Sequence, residues 1–211
     1  MDGALLPKSR IATFAVFSGG IIILTFGVAL TILADLGTSP FDALLVGLSE
    51  HVGLTVGSWE VLIACLLIGC NACLSRQRPE MLGLITAFIT GLGIDMWIFL
   101  LHKLIEPDLW ISQAAAFALG MVTIGLGTAV YLRANFAPIP IDRLTLVLLK
   151  ITKLNILYTR TIIYLVFLLA ALLFHGPIGA GTVLTVCLGG VILKYWMSVT
   201  EKGLGRLLPQ A

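Results

Sequence analysis

Six stretches of the chain run for 18 to 24 residues with few charges, at 11–34, 58–75, 81–102, 112–133, 157–175 and 177–198. A bilayer core about 30 Å thick takes roughly 20 apolar helical residues, so each stretch is long enough, or nearly so, to cross. Of the 211 residues 59% are hydrophobic and 11% charged, against roughly 25% charged in soluble domains. A soluble globular domain, a disordered chain and a nucleic-acid-binding protein are excluded. The first stretch follows Lys8 and Arg10 but is long, glycine-rich and succeeded by further spans, which favours an uncleaved first helix over a signal peptide.

Two further apolar segments, 40–51 and 140–153, have only 12 and 14 residues. At 1.5 Å per residue they fall short of a crossing and read as re-entrant or interfacial helices. Placing the N-terminus inside and letting these segments return to their own side puts 12 of the 13 Lys and Arg residues at the cytoplasmic face, with Lys103 outside near Glu106 and Asp108. Eight crossings would carry Arg76, Arg78 and Arg133 outside and Arg143 into the bilayer. The positive-inside rule therefore selects six crossings with both termini cytoplasmic, in a bacterial inner membrane.

The chain also repeats itself at a spacing of one hundred residues. Pro40-Phe41-Asp42-Ala43-Leu44 lies over Pro140-Ile141-Asp142-Arg143-Leu144, and residues 27–54 share eight identities with 127–154. After a one-residue slip, 91–97 lies over 190–196. The chain divides into halves at 1–105 and 106–211, each a long helix, a short broken helix and two more helices. Three crossings per half, an odd number, turn the second half upside down. The region around the first short helix has no Lys or Arg, whereas its counterpart carries Arg133, Arg143, Lys150, Lys153 and Arg160. Inverted repeats with interrupted helices are an architecture of secondary transporters.

Ser39-Pro40-Phe41-Asp42 is a helix start: Ser39 can cap, Pro40 suits the first turn and Asp42 can accept from free amides. Gly37 lets the chain turn ahead of it. The second break has Pro138 and Pro140, which forbid a continuous helix, but no hydroxyl cap. Asp42 and Asp142 are therefore either caps alone or also proton- or substrate-binding groups. Asp95 lies within a span, where an acid is a functional candidate by default; the alternative is an interfacial anchor beside Trp97. Arg143, in the second break, either pairs with Asp142 or meets an anionic substrate. Lys194 reads as a snorkelling residue, and Arg133 and Arg160 as positive-inside anchors. Asn71, Thr86, Thr90 and Asn135 read mainly as helix–helix hydrogen-bonding groups.

Gly83, Ala87 and Gly91 recur every four residues, as do Gly181, Thr185 and Gly189. Such ridges let backbones approach, so the last helices of the two halves are expected to cross each other or to form a homodimer seam. Cys65, Cys70 and Cys73 lie in apolar sequence with no histidine or basic residue near to lower a thiol pKa, so neither a metal nor another cofactor is expected. No enzyme motif is present. Lipid and a small-molecule substrate are the expected partners.

The sequence from Leu36-Gly37-Thr38-Ser39-Pro40-Phe41-Asp42 through Gly47-Leu48-Ser49 to Gly57-Ser58-Trp59 resembles the bacterial YczE/YyaS/YitT-like membrane proteins. These share an LG-x-x-P-[WF]-D element, a GLS and a G-x-W opening the next helix. Gly93-Ile94-Asp95 and Gly179-Ala180-Gly181-Thr182 are similar to further motifs of that family. Where this chain has Ala137-Pro138-Ile139-Pro140, the family is more glycine-rich. The resemblance implies an inner-membrane protein, with small-molecule transport or export suspected for some members, and names no substrate. The residues thus point to a secondary transporter, proton-coupled through Asp42, Asp142 and Asp95. A passive channel and a non-transporting accessory protein are the alternatives.

Overall fold

A computed structural model describes residues 7–104, 109–134 and 136–204, and among them every regular element is an α-helix. In chain order these are α1 (Pro7–Leu33), α2 (Pro40–Val52), α3 (Val56–Ser75), α4 (Leu82–His102), α5 (Trp110–Arg133), α6 (Pro140–Thr152), α7 (Ile156–Leu173) and α8 (Ala180–Leu204). Asn135, Glu106 and Asp108, which entered the sequence argument, lie outside the described residues.

The two short helices begin at Pro40 and Pro140 and hold 13 residues each, about 20 Å of helix. Proline fixes both starts because its missing N–H is one of those a helix leaves free in its first turn. Among the described residues five helices are long and apolar enough to span a bilayer: α1, α3, α4, α5 and α8. The sixth expected span, 157–175, falls on α7 (Ile156–Leu173), which ends two residues before the expected end. Large apolar side chains such as Leu66 on α3, Phe88 on α4, Val166 on α7 and Val191 on α8 stand exposed. Outward-facing apolar surface at this density belongs against lipid. The chain is a multi-pass membrane protein in contact with the bilayer.

The centre of the bundle is the packing of α1 against α5. These two helices run antiparallel with glycines at their closest approach. A methyl group on Gly27 would stand 2.8 Å from the Gly120 carbonyl oxygen, and one on Gly120 would stand 2.9 Å from that of Gly27. The same contact recurs further along, where a methyl group on Gly127 would stand 2.8 Å from the Gly20 carbonyl oxygen. Only glycine permits such approach. Around this pair, α4 packs on α1 and α8 on α5, α7 on α2 and α3 on α6.

The expected crossing of α4 with α8 is not among the main helix contacts, because α4 packs on α3 and α1 and α8 on α5. Their small residues serve other neighbours. Gly91 meets Gly57 of α3, with a methyl group there 3.1 Å from the Gly57 Cα. Ala87 is fully buried, while Gly83 faces Pro138 and Pro140. Gly181 donates its backbone N–H to Leu36 O at 2.7 Å. Thr185 donates to Gly181 O within α8, and Thr185 and Gly189 face a cavity.

Candidate functional site

Each break is held open by the half of the chain it does not belong to. At the first, Gly37 has φ +90°, a left-handed conformation natural to glycine. Thr38 N donates to Pro177 O at 3.3 Å, so the turn before α8 clamps the turn before α2. At the second, Asn71 Nδ2 on α3 donates to Pro140 O at 2.9 Å and Thr86 Oγ1 on α4 donates to Ala137 O at 3.1 Å. Open backbone inside a membrane protein must find partners within it; Thr86 supplies one to Ala137, and Asn71 ties α3 to the first carbonyl of α6.

The short helices bring their first turns to a common cavity of about 120 Å³. Ser39 caps α2 as its sequence predicts, accepting from Asp42 N at 3.2 Å, while its hydroxyl donates to Asp42 Oδ2 at 2.6 Å. No side chain caps α6 at Ile139. Instead Asp142 accepts from the Tyr131 hydroxyl of α5 and faces the Arg160 guanidinium of α7, with Nη2 3.7 Å from Asp142 Oδ1. Arg160 also lies over the Tyr164 ring, 5.7 Å from its centroid, a cation–π distance. Arg160 is thus a cavity residue rather than an anchor at the membrane face.

Glu60, one turn into α3, lines the same cavity and is 2% exposed. No hydrogen bond reaches its carboxylate among the described residues. Sequence reasoning passed over it, although an acid inside an apolar helix is itself a signal. A second signal was the counterpart one hundred residues on: Glu60 corresponds to Arg160. Six such pairs line the cavity, namely Leu24 and Ile124, Val28 and Thr128, Ser39 and Ile139, Phe41 and Ile141, Asp42 and Asp142, and Glu60 and Arg160. After the one-residue slip, Thr90 with Gly189 and Ile94 with Leu193 extend the set.

A family described as of unknown function (DUF6198) matches residues 11–198. The chain belongs to the DUF6198 family. It is 56% identical over 183 residues to the uncharacterized protein YyaS of Bacillus subtilis, covering 87% of this chain and 91% of that one. It is also 37% identical over 191 residues to the uncharacterized membrane protein YczE of the same organism, covering 90% and 87%. A more distant relative, an uncharacterized protein of Haemophilus influenzae, is 24% identical over 198 residues, covering 93% and 88%. No solved structure matches the chain.

In this DUF6198 protein the remaining candidates lie away from the cavity. Asp95 accepts from Gly57 N at 2.8 Å and so serves the first turn of α3. It borders a separate surface cleft with Ser49, Thr55 and Lys103. Arg143 pairs neither with Asp142 nor into the cavity; its guanidinium meets Glu80 just before α4. That pair covers a small cleft lined by Asn71, Ser75, Pro138 and Pro140. Lys194 is exposed, and all four cysteines are free and exposed.

Proposed function

We propose that this DUF6198 protein is a secondary transporter or exporter of a small molecule, coupled to protons, in the bacterial cytoplasmic membrane with both termini inside. The observation that carries the proposal is the cavity itself. Ionisable residues from two broken helices meet there, and most of its lining comes in pairs one hundred residues apart. The antiparallel α1–α5 packing supports reading those halves as inverted repeats, with α7 as the sixth crossing. Transporters of this build bind substrate at the repeat interface, between interrupted helices.

The role of each residue follows from its place. Asp42, Glu60 and Asp142 are acids in a low-dielectric cavity, where a lone carboxylate is costly unless protonated or paired. Arg160 and Tyr131 offset Asp142; among the described residues Asp42 has a single hydroxyl partner, and Glu60 has none. These are the groups through which proton binding and substrate binding compete. Pro40 and Pro140 hold the two half-helices in place. Asp95 and Arg143 become structural residues in this account, a helix cap and an ion-paired closure of the second break.

The test is proton movement in proteoliposomes carrying a trapped pH dye, challenged with panels of amines, carboxylates, sugars and amino acids. At least one class is expected to move protons, and Asp42→Asn is expected to abolish the response while leaving the protein folded. No response to any class, together with co-purification of one stoichiometric membrane partner, would overturn the proposal in favour of an accessory role.

A further inference from the structure

The cavity is asymmetric in charge although its framework is paired. In one half an acid of the short helix, Asp142, faces a cation on the neighbouring span, Arg160. In the other half the acid is Asp42 and the corresponding position holds Glu60, a second acid with no hydrogen-bond partner among the described residues. The place that a guanidinium fills beside Asp142 is filled, among the described residues, by no cation beside Asp42.

Three further observations narrow what could fill it. Helix N-termini favour anions, but here the first turns of α2 and α6 already carry the chain's own carboxylates, Asp42 and Asp142. An anionic ligand would meet them. Among the described residues no group of three or more acids, cysteines or histidines converges closely enough to hold a metal ion, whereas two acids on different helices suit a cation with several N–H donors. The remaining walls are largely apolar, with Leu24, Val28, Ile94, Ile124 and Ile163. An apolar cavity of about 150 Å³ can hold benzene, so about 120 Å³ suits a molecule of a handful of heavy atoms.

We propose that the cavity binds a small organic cation bearing N–H donors and a short hydrocarbon part, a primary ammonium or guanidinium compound, held between Asp42 and Glu60. This names the substrate class for the transport reading above and rests on it. The cation does for Asp42 and Glu60 what Arg160 does for Asp142. It competes with protons at the acids while Arg160, Tyr131 and Tyr164 complete the titratable set facing them.

The test uses the purified full chain in detergent and the thermal unfolding midpoint. Methylammonium chloride and methylguanidinium chloride are compared with sodium chloride at equal ionic strength and with sodium acetate. The organic cations are expected to raise the midpoint, by about 3 °C at ten times their dissociation constant, and Glu60→Gln is expected to remove the rise. Should Glu60→Gln fail to fold, Asp42→Asn, which keeps Ser39 beside it, gives the same reading. An equal rise with sodium, a rise with acetate, or a rise that survives both substitutions would overturn the proposal. Uptake of labelled methylguanidinium into proteoliposomes separates this claim from the transport reading. Glu60-dependent binding without uptake contradicts transport and leaves the cation class standing. Proton-driven movement of another solute without cation binding does the reverse.

Discussion

Glu60 on α3 and Arg160 on α7 occupy corresponding positions one hundred residues apart, are an acid and a base, and line one cavity. Their difference organises the electrostatics of the site. The Arg160 guanidinium lies 3.7 Å from Asp142, so each needs the other away from water. Removing one partner of such a pair strands a buried charge, which is costlier than removing both.

Arg160→Gln is therefore expected to lower stability by about 1–3 kcal/mol, and Asp142→Asn in the same chain to recover a substantial part of that loss. A double-mutant cycle on unfolding midpoints in detergent measures the coupling. Additive losses would mean that the two groups do not interact.

The α1–α5 contact makes a separate prediction. Gly27→Ala would drive a methyl group to 2.7 Å from Ile124 N, so the helices must separate, at roughly 1–3 kcal/mol. Gly19→Ala meets nothing within 4 Å and is expected to be neutral or mildly stabilising, given the helix propensities of the two residues. Comparing the two midpoints tests whether the close approach is real, since both variants change the same residue type on one helix.

Asn71→Ala and Thr86→Val remove the side-chain bonds to the carbonyls of Pro140 and Ala137. Each is expected to cost about 1 kcal/mol and to raise proteolysis or thiol accessibility at the second break. Neither should alter the first break, which is held by Pro177 and Gly181 of the α7–α8 region.

Asp95→Asn tests whether an acid within a span is chemistry or architecture. Asp95 accepts from Gly57 N at 2.8 Å, a capping role worth about 0.5–2 kcal/mol. An amide oxygen can still accept from Gly57 N, so the variant is expected to lose at most a few tenths of a kcal/mol while keeping any cation-dependent shift intact. Loss of the shift in a folded Asp95→Asn protein would return Asp95 to the binding site.

The sequence was most informative where backbone chemistry leaves no choice. Pro40 and Pro140 cannot sit inside a helix, and both short helices start on them; Ser39 caps as its position before a proline demands. It was least informative about which distant groups meet. Arg143 is adjacent to Asp142 in the chain, yet a helix points successive side chains in different directions, and Arg143 reaches Glu80 instead. The central glycines were missed because Gly20 and Gly27, like Gly120 and Gly127, recur at seven residues and not at the four of the ridges on α4 and α8. Glu60 directly follows a motif, Gly57-Ser58-Trp59, whose glycine and tryptophan are the more conspicuous residues. The spacing that pairs Asp42 with Asp142 would have paired Glu60 with Arg160.

Both the cavity's pairing and the transport reading depend on the halves being inverted, and side-specific labelling of single cysteines measures that directly. Glu50→Cys and Lys150→Cys are built separately in a chain with Cys65, Cys70, Cys73 and Cys187 replaced, at positions that are exposed near the ends of α2 and α6. A membrane-impermeant thiol reagent is expected to label position 50 only from the outer face and position 150 only from the cytoplasmic face. Labelling of both positions from the same face would make the halves parallel and contradict the account.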